Sequence, residues 1–170
     1  AILCGLERET QARSFFVMDE NFLLNRPRAL QLLALMEQQG KPWSFYLFSS
    51  ANVLRRYSID ELLRLGVSWV WLGLEGKDSR YGKLAGVDTL AMVQQYQSNG
   101  IRVLGSTIIG LESHTRDNIN EAIDYAVAHA TDFHQFMLYT PLPGTALHSE
   151  LAEKHLILDE SAVGLPLIHG

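Results

Sequence analysis

Along this chain, short apolar runs alternate with stretches of helical period, and each run stops at a polar or glycine-containing elbow. Ser14 to Met18, Phe45 to Phe48, Val67 to Leu74, Ile101 to Ile109 and His134 to Tyr139 read as strands. Their nearly continuous apolar character suits strands covered on both faces, as in a parallel sheet. In the third, Trp69 and Trp71 fall on one side and Val70 and Leu72 on the other. Between the runs lie helix signals. Asn25 offers an N-cap with Pro27 just inside, and Leu30, Leu33 and Ala34 supply an apolar face before Gly40 and Pro42. Ser58-Ile59-Asp60-Glu61 is a capping box, and Gly66 ends the helix that it opens. Asp88 caps a helix that finishes near Asn99-Gly100. Thr115 caps another, in which Ile119, Ala122, Ile123, Ala126 and Val127 form an inward stripe. Ala146 to His155 is a short final helix, and the glycine-rich, charged stretch from Gly76 to Val87 reads as a surface loop.

Successive strands are separated by the length of a crossover helix and its return, which makes neighbours parallel. Such crossovers are right-handed in ~98% of cases, so the strands line up in sequence order with the helices outside. The expectation is an α/β fold: a partial (β/α) barrel of about five parallel strands, spanning 1–170 as a single domain. A doubly wound open sheet is the alternative, but no Gly-x-Gly-x-x-Gly turn follows the first strand.

Composition narrows the function classes. A chain of 170 residues with 47% hydrophobic and 19% charged residues has enough apolar material for one core. A net charge of -5 and the lack of any Lys/Arg run speak against a nucleic-acid partner, because phosphate neutralisation needs clustered cations. No apolar stretch approaches the ~20 residues that cross a bilayer, so no membrane association and a cytoplasmic setting are expected. Cys4 is the single cysteine, expected as a small buried hydrophobe; one thiolate builds neither a disulfide framework nor a multi-thiolate metal site.

In parallel α/β folds ligands bind at the carboxyl ends of the strands, which is where this chain's unusual side chains collect. Asp19-Glu20-Asn21 can grip an ammonium group or simply form a turn. Glu75, at the mouth of a very apolar strand, needs a partner: ribose hydroxyls of a ligand, or Lys77 or Lys83. Gly105 marks a place where a ligand or another backbone can come close. Thr140-Pro141-Leu142-Pro143-Gly144-Thr145 is a rigid turn with mostly backbone polar groups. His114 and His134 near strand termini could join Asp19 and Glu75 in a divalent-metal site, although no His pair has helical metal-binding spacing. No Gly-x-Ser-x-Gly elbow supports a serine hydrolase.

Taken in order, Phe16-Val17-Met18-Asp19-Glu20-Asn21-Phe22, Trp71-Leu72-Gly73-Leu74-Glu75, Ile108-Ile109-Gly110-Leu111 and Tyr139-Thr140-Pro141-Leu142-Pro143-Gly144-Thr145 resemble the radical S-adenosylmethionine superfamily. The likeness is greatest to members that often follow a cobalamin-binding domain. It implies a (β/α)6 partial barrel of which this chain is a fragment supplying about the last five strands. It also implies S-adenosylmethionine as cofactor, with Asp19, Glu20 and Asn21 at the methionyl amino group and Glu75 near the ribose. Ile108 and Gly110 would lie by the adenine, Tyr139 and Pro141 would border it through backbone groups, and Ser50 or Asn52 would line the pocket.

Two departures from the family pattern matter. The Cys-x-x-x-Cys-x-x-Cys loop that holds a 4Fe-4S cluster is missing, and the glutamate common after the fifth family strand is displaced, with His114 in its place and Glu112 two positions earlier. The resemblance therefore implies the carboxyl-terminal part of a catalytic domain separated from its cluster-binding amino-terminal segment. The intact protein would use the cluster to generate a 5′-deoxyadenosyl radical for hydrogen abstraction or methyl transfer on a small-molecule substrate, with cobalamin a further candidate cofactor. This chain alone would be inactive, because a lone thiolate cannot hold the cluster. The alternatives are a non-catalytic nucleoside-binding module and a divalent-metal barrel enzyme. A missing barrel strand would leave an exposed sheet edge that invites self-association.

Overall fold

Apolar runs separated by capped helices condense into one five-stranded parallel sheet in the order β1-β2-β3-β4-β5, with helices against it, in a computed structural model that describes residues 2–74 and 87–157. The strands are β1 (Ser14–Val17), β2 (Ser44–Ser49), β3 (Val67–Gly73), β4 (Arg102–Ile109) and β5 (Phe133–Leu138). The helices are α1 (Ile2–Thr10), α2 (Arg26–Gln38), α3 (Ala51–Leu54), α4 (Ile59–Arg64), α5 (Thr89–Ser98), α6 (Ile119–Ala128) and α7 (Ala146–Glu153), with a 3-10 turn at Phe22–Leu24. This is the expected α/β partial barrel, with β1 and β5 as its edge strands. Two compact units divide it, Ala1–Met137 and Leu138–Gly170, the boundary falling at the last residue of β5.

Several local signals act as the sequence suggests. The Asn25 side chain accepts the Arg28 amide at 3.1 Å at the start of α2. Ser58 and Glu61 form a reciprocal capping box, and the same Glu61 carboxylate pairs with Arg26 of α2, so the cap also ties two helices together. Asp88 accepts the Ala91 amide at 3.0 Å. Gly66 is needed after α4: its φ is +82°, and an added Cβ would lie 2.0 Å from the Trp43 carbonyl oxygen.

Other expectations need correction. Ala34 is exposed, and the buried face of α2 is Ala29, Leu33 and Met36, rotated about a quarter turn around the helix. Val127 is 61% exposed, outside the inward stripe of α6. That helix starts at Ile119 rather than directly after Thr115, because Thr115 and Asn118 first close a turn in which each side chain accepts the other's amide. Helices α1 and α3 lack strong start signals and are set by packing.

The core lies on the helix-facing side of the sheet. Phe45, Leu47, Val70, Leu72, Leu74 and Val103 of the sheet and the residue after β3 are buried with Leu33, Leu54, Leu62 and Val93 from the helices. α4 packs on β3, while α5 and α6 pack on β4. Each such Leu contributes about 1.5–3 kcal/mol relative to an exposed position. Cys4, in α1, is half-buried, and its thiol donates to Gln39 Oε1 at 3.6 Å.

Candidate functional site

Because β1 to β4 run parallel in one sheet, their carboxyl ends share one edge, and alternation decides what that edge presents. The strand residues turned away from the helices form rows across the sheet, here named the lumen face. Phe16, Tyr46, Trp69 and Arg102 are register neighbours in the first row; Phe48, Trp71 and Leu104 follow; Gly73 and Ser106 make the row nearest the carboxyl ends. Rings stack across the second row, with Phe48 and Trp71 centroids 4.9 Å apart and Phe16 leaning 5.2 Å from Phe48. A large aromatic row beneath a row of glycine and serine leaves space at the strand ends over an apolar floor. The Ser106 hydroxyl donates to Met137 Sδ at 3.4 Å, carrying this arrangement on to β5.

The polar elbow after β1 is built tightly. Asp19 accepts the Asn21 amide at 3.0 Å in an Asx turn and pairs with Arg28 of α2 at 2.7 Å. The Arg28 hydrogen bond, followed by the Asn21 amide, holds the Asp19 carboxyl below its usual range. Arg28 also donates to the Phe22 carbonyl at 3.0 Å and lies over the Phe22 ring at 4.6 Å. Asn21 Oδ1 accepts from the Ser49 hydroxyl at 3.2 Å, which joins the ends of β1 and β2. The elbow is therefore a turn and also a fixed platform, from which the exposed Glu20 projects.

Ser50 is the half-buried N-cap residue of α3, without a side-chain capping bond, and Asn52 is half-buried in the same helix. Ile108 is half-buried on the lumen side of β4. Gly110 follows with φ of +80°, and its amide donates to His114 Nδ1 at 3.1 Å, so the displaced His114 closes the turn after β4. Glu75, with Lys77 and Lys83, lies outside the described residues.

Tyr139 and Pro141 belong to the second unit, where both are half-buried. There Thr145 caps α7, its hydroxyl accepting the His148 amide at 3.2 Å and donating to the Leu142 carbonyl at 2.7 Å, while Gly144 has φ of +84°.

Two expectations at this edge are overturned by one contact. What comes close to Gly105 is the His134 ring: an added Cβ would lie 2.7 Å from His134 Nδ1 and 2.9 Å from Leu74 Cδ1. His134 therefore sits on the helix-facing side of the sheet, with both ring nitrogens engaged by Thr107 and Thr131 and not free to ligate a metal. Proton counting fixes its tautomer. The Thr107 hydroxyl donates to the Leu74 carbonyl at 2.7 Å, so it accepts from His134 Nε2–H at 3.0 Å; Nδ1 then accepts from the Thr131 hydroxyl at 3.2 Å. Burial pushes the His134 pKa down, in keeping with this neutral form. Among the described residues no group of three His, Cys, Asp or Glu side chains is placed to hold a metal ion, and no helix is long and apolar enough to cross a membrane.

Sequence reasoning about elbows missed the floor residues Phe48, Trp71 and Ser106 and the Arg28 clamp. Their signal was present as alternation: Tyr46 and Phe48, like Trp69 and Trp71, are large aromatics spaced two apart.

No family model matches the chain. It is 27% identical over 146 residues to an uncharacterized methyltransferase of Pyrococcus horikoshii, covering 83% of this chain and 32% of that protein. It is 24% identical over 147 residues to the bacteriochlorophyllide d C-12(1)-methyltransferase of Chlorobaculum tepidum, covering 82% and 32% respectively. The chain thus spans about a third of the length of the curated relatives it matches. The fold is shared with the radical S-adenosylmethionine methyltransferase TsrM of Kitasatospora setae. Its structure with cobalamin and a 4Fe-4S cluster matches with TM-score 0.70, and its structure with tryptophan substrate and an aza analogue of S-adenosylmethionine with TM-score 0.71. Identity is 17% in both cases, and the matches cover 88% and 89% of this chain and 32% of TsrM.

Proposed function

We propose that this chain is the S-adenosylmethionine-cradling part of a methyltransferase of the radical S-adenosylmethionine type. The observation that carries the reading is the edge of β1 to β4, where polar elbows surround a row of small residues over an aromatic floor. The sequence similarity to methyltransferases supports the same reading from an independent side.

The residues fit the cofactor in chemical kind. Glu20, exposed on the platform that Asp19, Asn21 and Ser49 hold rigid, would take the methionyl ammonium. Glu75 would accept the ribose hydroxyls, Ile108 would pack on adenine beside Gly110, and Ser50 and Asn52 would line the pocket. Trp71 and Phe48 would exclude water from below. When bound, S-adenosylmethionine supplies the transferable methyl group; the chain's own residues bind it, orient it and keep it dry.

The chain does not fit a 4Fe-4S cluster. Its single cysteine lies on α1, half-buried and bonded to Gln39, and one thiolate cannot bind four irons. Cluster ligands, like any cobalamin contacts, would come from sequence beyond these 170 residues.

Titration calorimetry with S-adenosylhomocysteine tests the cradle. Saturable one-site binding is expected, and Glu75→Ala should weaken it roughly tenfold or more, since hydrogen bonds to a charged group contribute about 1.5–3 kcal/mol. Ser106→Phe, which fills the space over the floor, should abolish binding while the fold persists by circular dichroism. Undetectable binding to the wild type, or unchanged affinity in both variants, would rule the cradle out.

A further inference from the structure

The amino-terminal part of the lumen face has a chemistry of its own. An open trough of 440 Å³ is lined there by Phe16, Tyr46, Trp69, Trp71, Leu104 and Phe133, among others. The Tyr46, Trp69 and Phe133 rings lean on one another along it, with centroids 5.6 and 5.7 Å apart and interplanar angles of 48° and 30°. Arg102, the register neighbour of Trp69, lays its guanidinium over the indole at 5.4 Å. That guanidinium is solvent-exposed and enters none of the ion pairs among the described residues.

We propose that this trough binds an aromatic carboxylate, its ring packed among those of Tyr46, Trp69 and Phe133 and its carboxylate on the Arg102 guanidinium. An aromatic ring follows from the lining: tilted ring pairs leave edges and partial faces that another ring meets in edge-to-face or offset contact, whereas a flexible aliphatic chain would lose rotamer freedom there. The single negative charge follows from Arg102. Its planar fork matches a carboxylate in two-point contact, and already stacked on an indole it loses little freedom on pairing. Arg102 stands beside the trough on Trp69, the lining itself holds no charged residue, and a chain of net charge -5 does not favour a polyanion. The volume lies within the range of small-molecule sites. The proposal uses none of the polar elbows, and Arg102 and Trp69, on which its test rests, take no part in the adenosylmethionine cradle.

A matched pair of fluorescent probes tests it with the wild-type chain alone: 1-pyrenebutyrate and its neutral analogue 1-pyrenebutanol, titrated by anisotropy and by quenching of tryptophan emission. The butyrate is expected to bind at least fivefold more tightly. Arg102→Gln should reduce that preference to within twofold without changing the affinity for the alcohol, and Trp69→Leu should weaken both probes. Equal affinities in the wild type, or a preference that survives Arg102→Gln, would overturn the proposal. So would a dimer by light scattering that pyrenebutyrate does not dissociate and that Trp69→Leu disrupts, since a second copy would then be the occupant of this face.

Discussion

Adjacent residues of one strand end in different worlds. In β2, Leu47 is 1% exposed beneath the helices, while Tyr46 beside it is 42% exposed on the lumen face. β3 repeats the contrast, with Val70 and Leu72 sealed and Trp69 and Trp71 only half-buried. The helix side is filled by aliphatic side chains from two layers, and close packing there holds the sheet together. The lumen side is aromatic, open and unpaired across from itself. It contributes less to holding the fold, and its large rings offer flat, water-excluding area to a ligand. Stability and recognition are thus separated by a period of two residues.

The sharpest way to break this distinction is paired truncation. Leu47→Ala should cost about 2–5 kcal/mol of unfolding free energy by urea denaturation, as large-to-small changes in a packed core do. Tyr46→Ala, one residue along the same strand, should cost markedly less and instead weaken binding of a flat ligand to the trough. Equal losses of stability would mean that both faces are core.

A smaller effect is expected at Gly105, where the helix face leaves no room for a methyl group. Gly105→Ala would drive a methyl group into the His134 ring and Leu74. Overpacking of this kind typically costs about 1–3 kcal/mol. The thermal midpoint should fall accordingly, and His134→Ala in the same background should recover part of the loss by making room. No recovery would mean that the ring is not what excludes the methyl.

The smallest effect is a pH slope. His129 is buried, with Nδ1–H donating to the Tyr125 carbonyl at 2.9 Å and Nε2 accepting from the Thr89 hydroxyl at 2.8 Å, and burial lowers its pKa as it does that of His134. A lowered histidine pKa in the folded state means that the unfolded chain binds protons first. Stability should therefore be level above the ordinary histidine range and decline as pH falls below about 6.5, reaching a new plateau under the folded-state values. Asp19 and Glu61, whose carboxyls are held low by Arg28 and by the Ser58 amide respectively, add loss only at lower pH. Denaturation midpoints at pH 7.5, 6.5 and 5.5 check this. A rise toward pH 5.5 would contradict both the neutral tautomers and their burial.

Much of the fold could be read before any coordinates. Strand periodicity and capping chemistry are local: the Ser58–Glu61 box, the Asn25 and Asp88 caps and the Gly66 stop act within a few residues, so their signal survives in one dimension. The phase of α2 is not legible at Ala34, because Ala29 and Met36 are equally apolar and only the packed neighbours choose among them. The elbows were legible as polar residues after apolar runs, but their internal bonding was not. That Asp19 is taken by Arg28, and Asn21 by Ser49, depends on distances between segments nine and 28 positions apart.

By itself the chain's alternation determined the strands, their parallel order and which side chains share a face, since crossover length and pleat geometry leave few other solutions. The tertiary structure decided which of the two faces is closed. It also decided that His134 would fill the space beside Gly105 instead of serving a metal, and that Arg102 would lie on Trp69 without a carboxylate among the described residues. These outcomes depend on neighbours brought together across the sheet, and a contact between distant segments leaves no periodic trace in either of them.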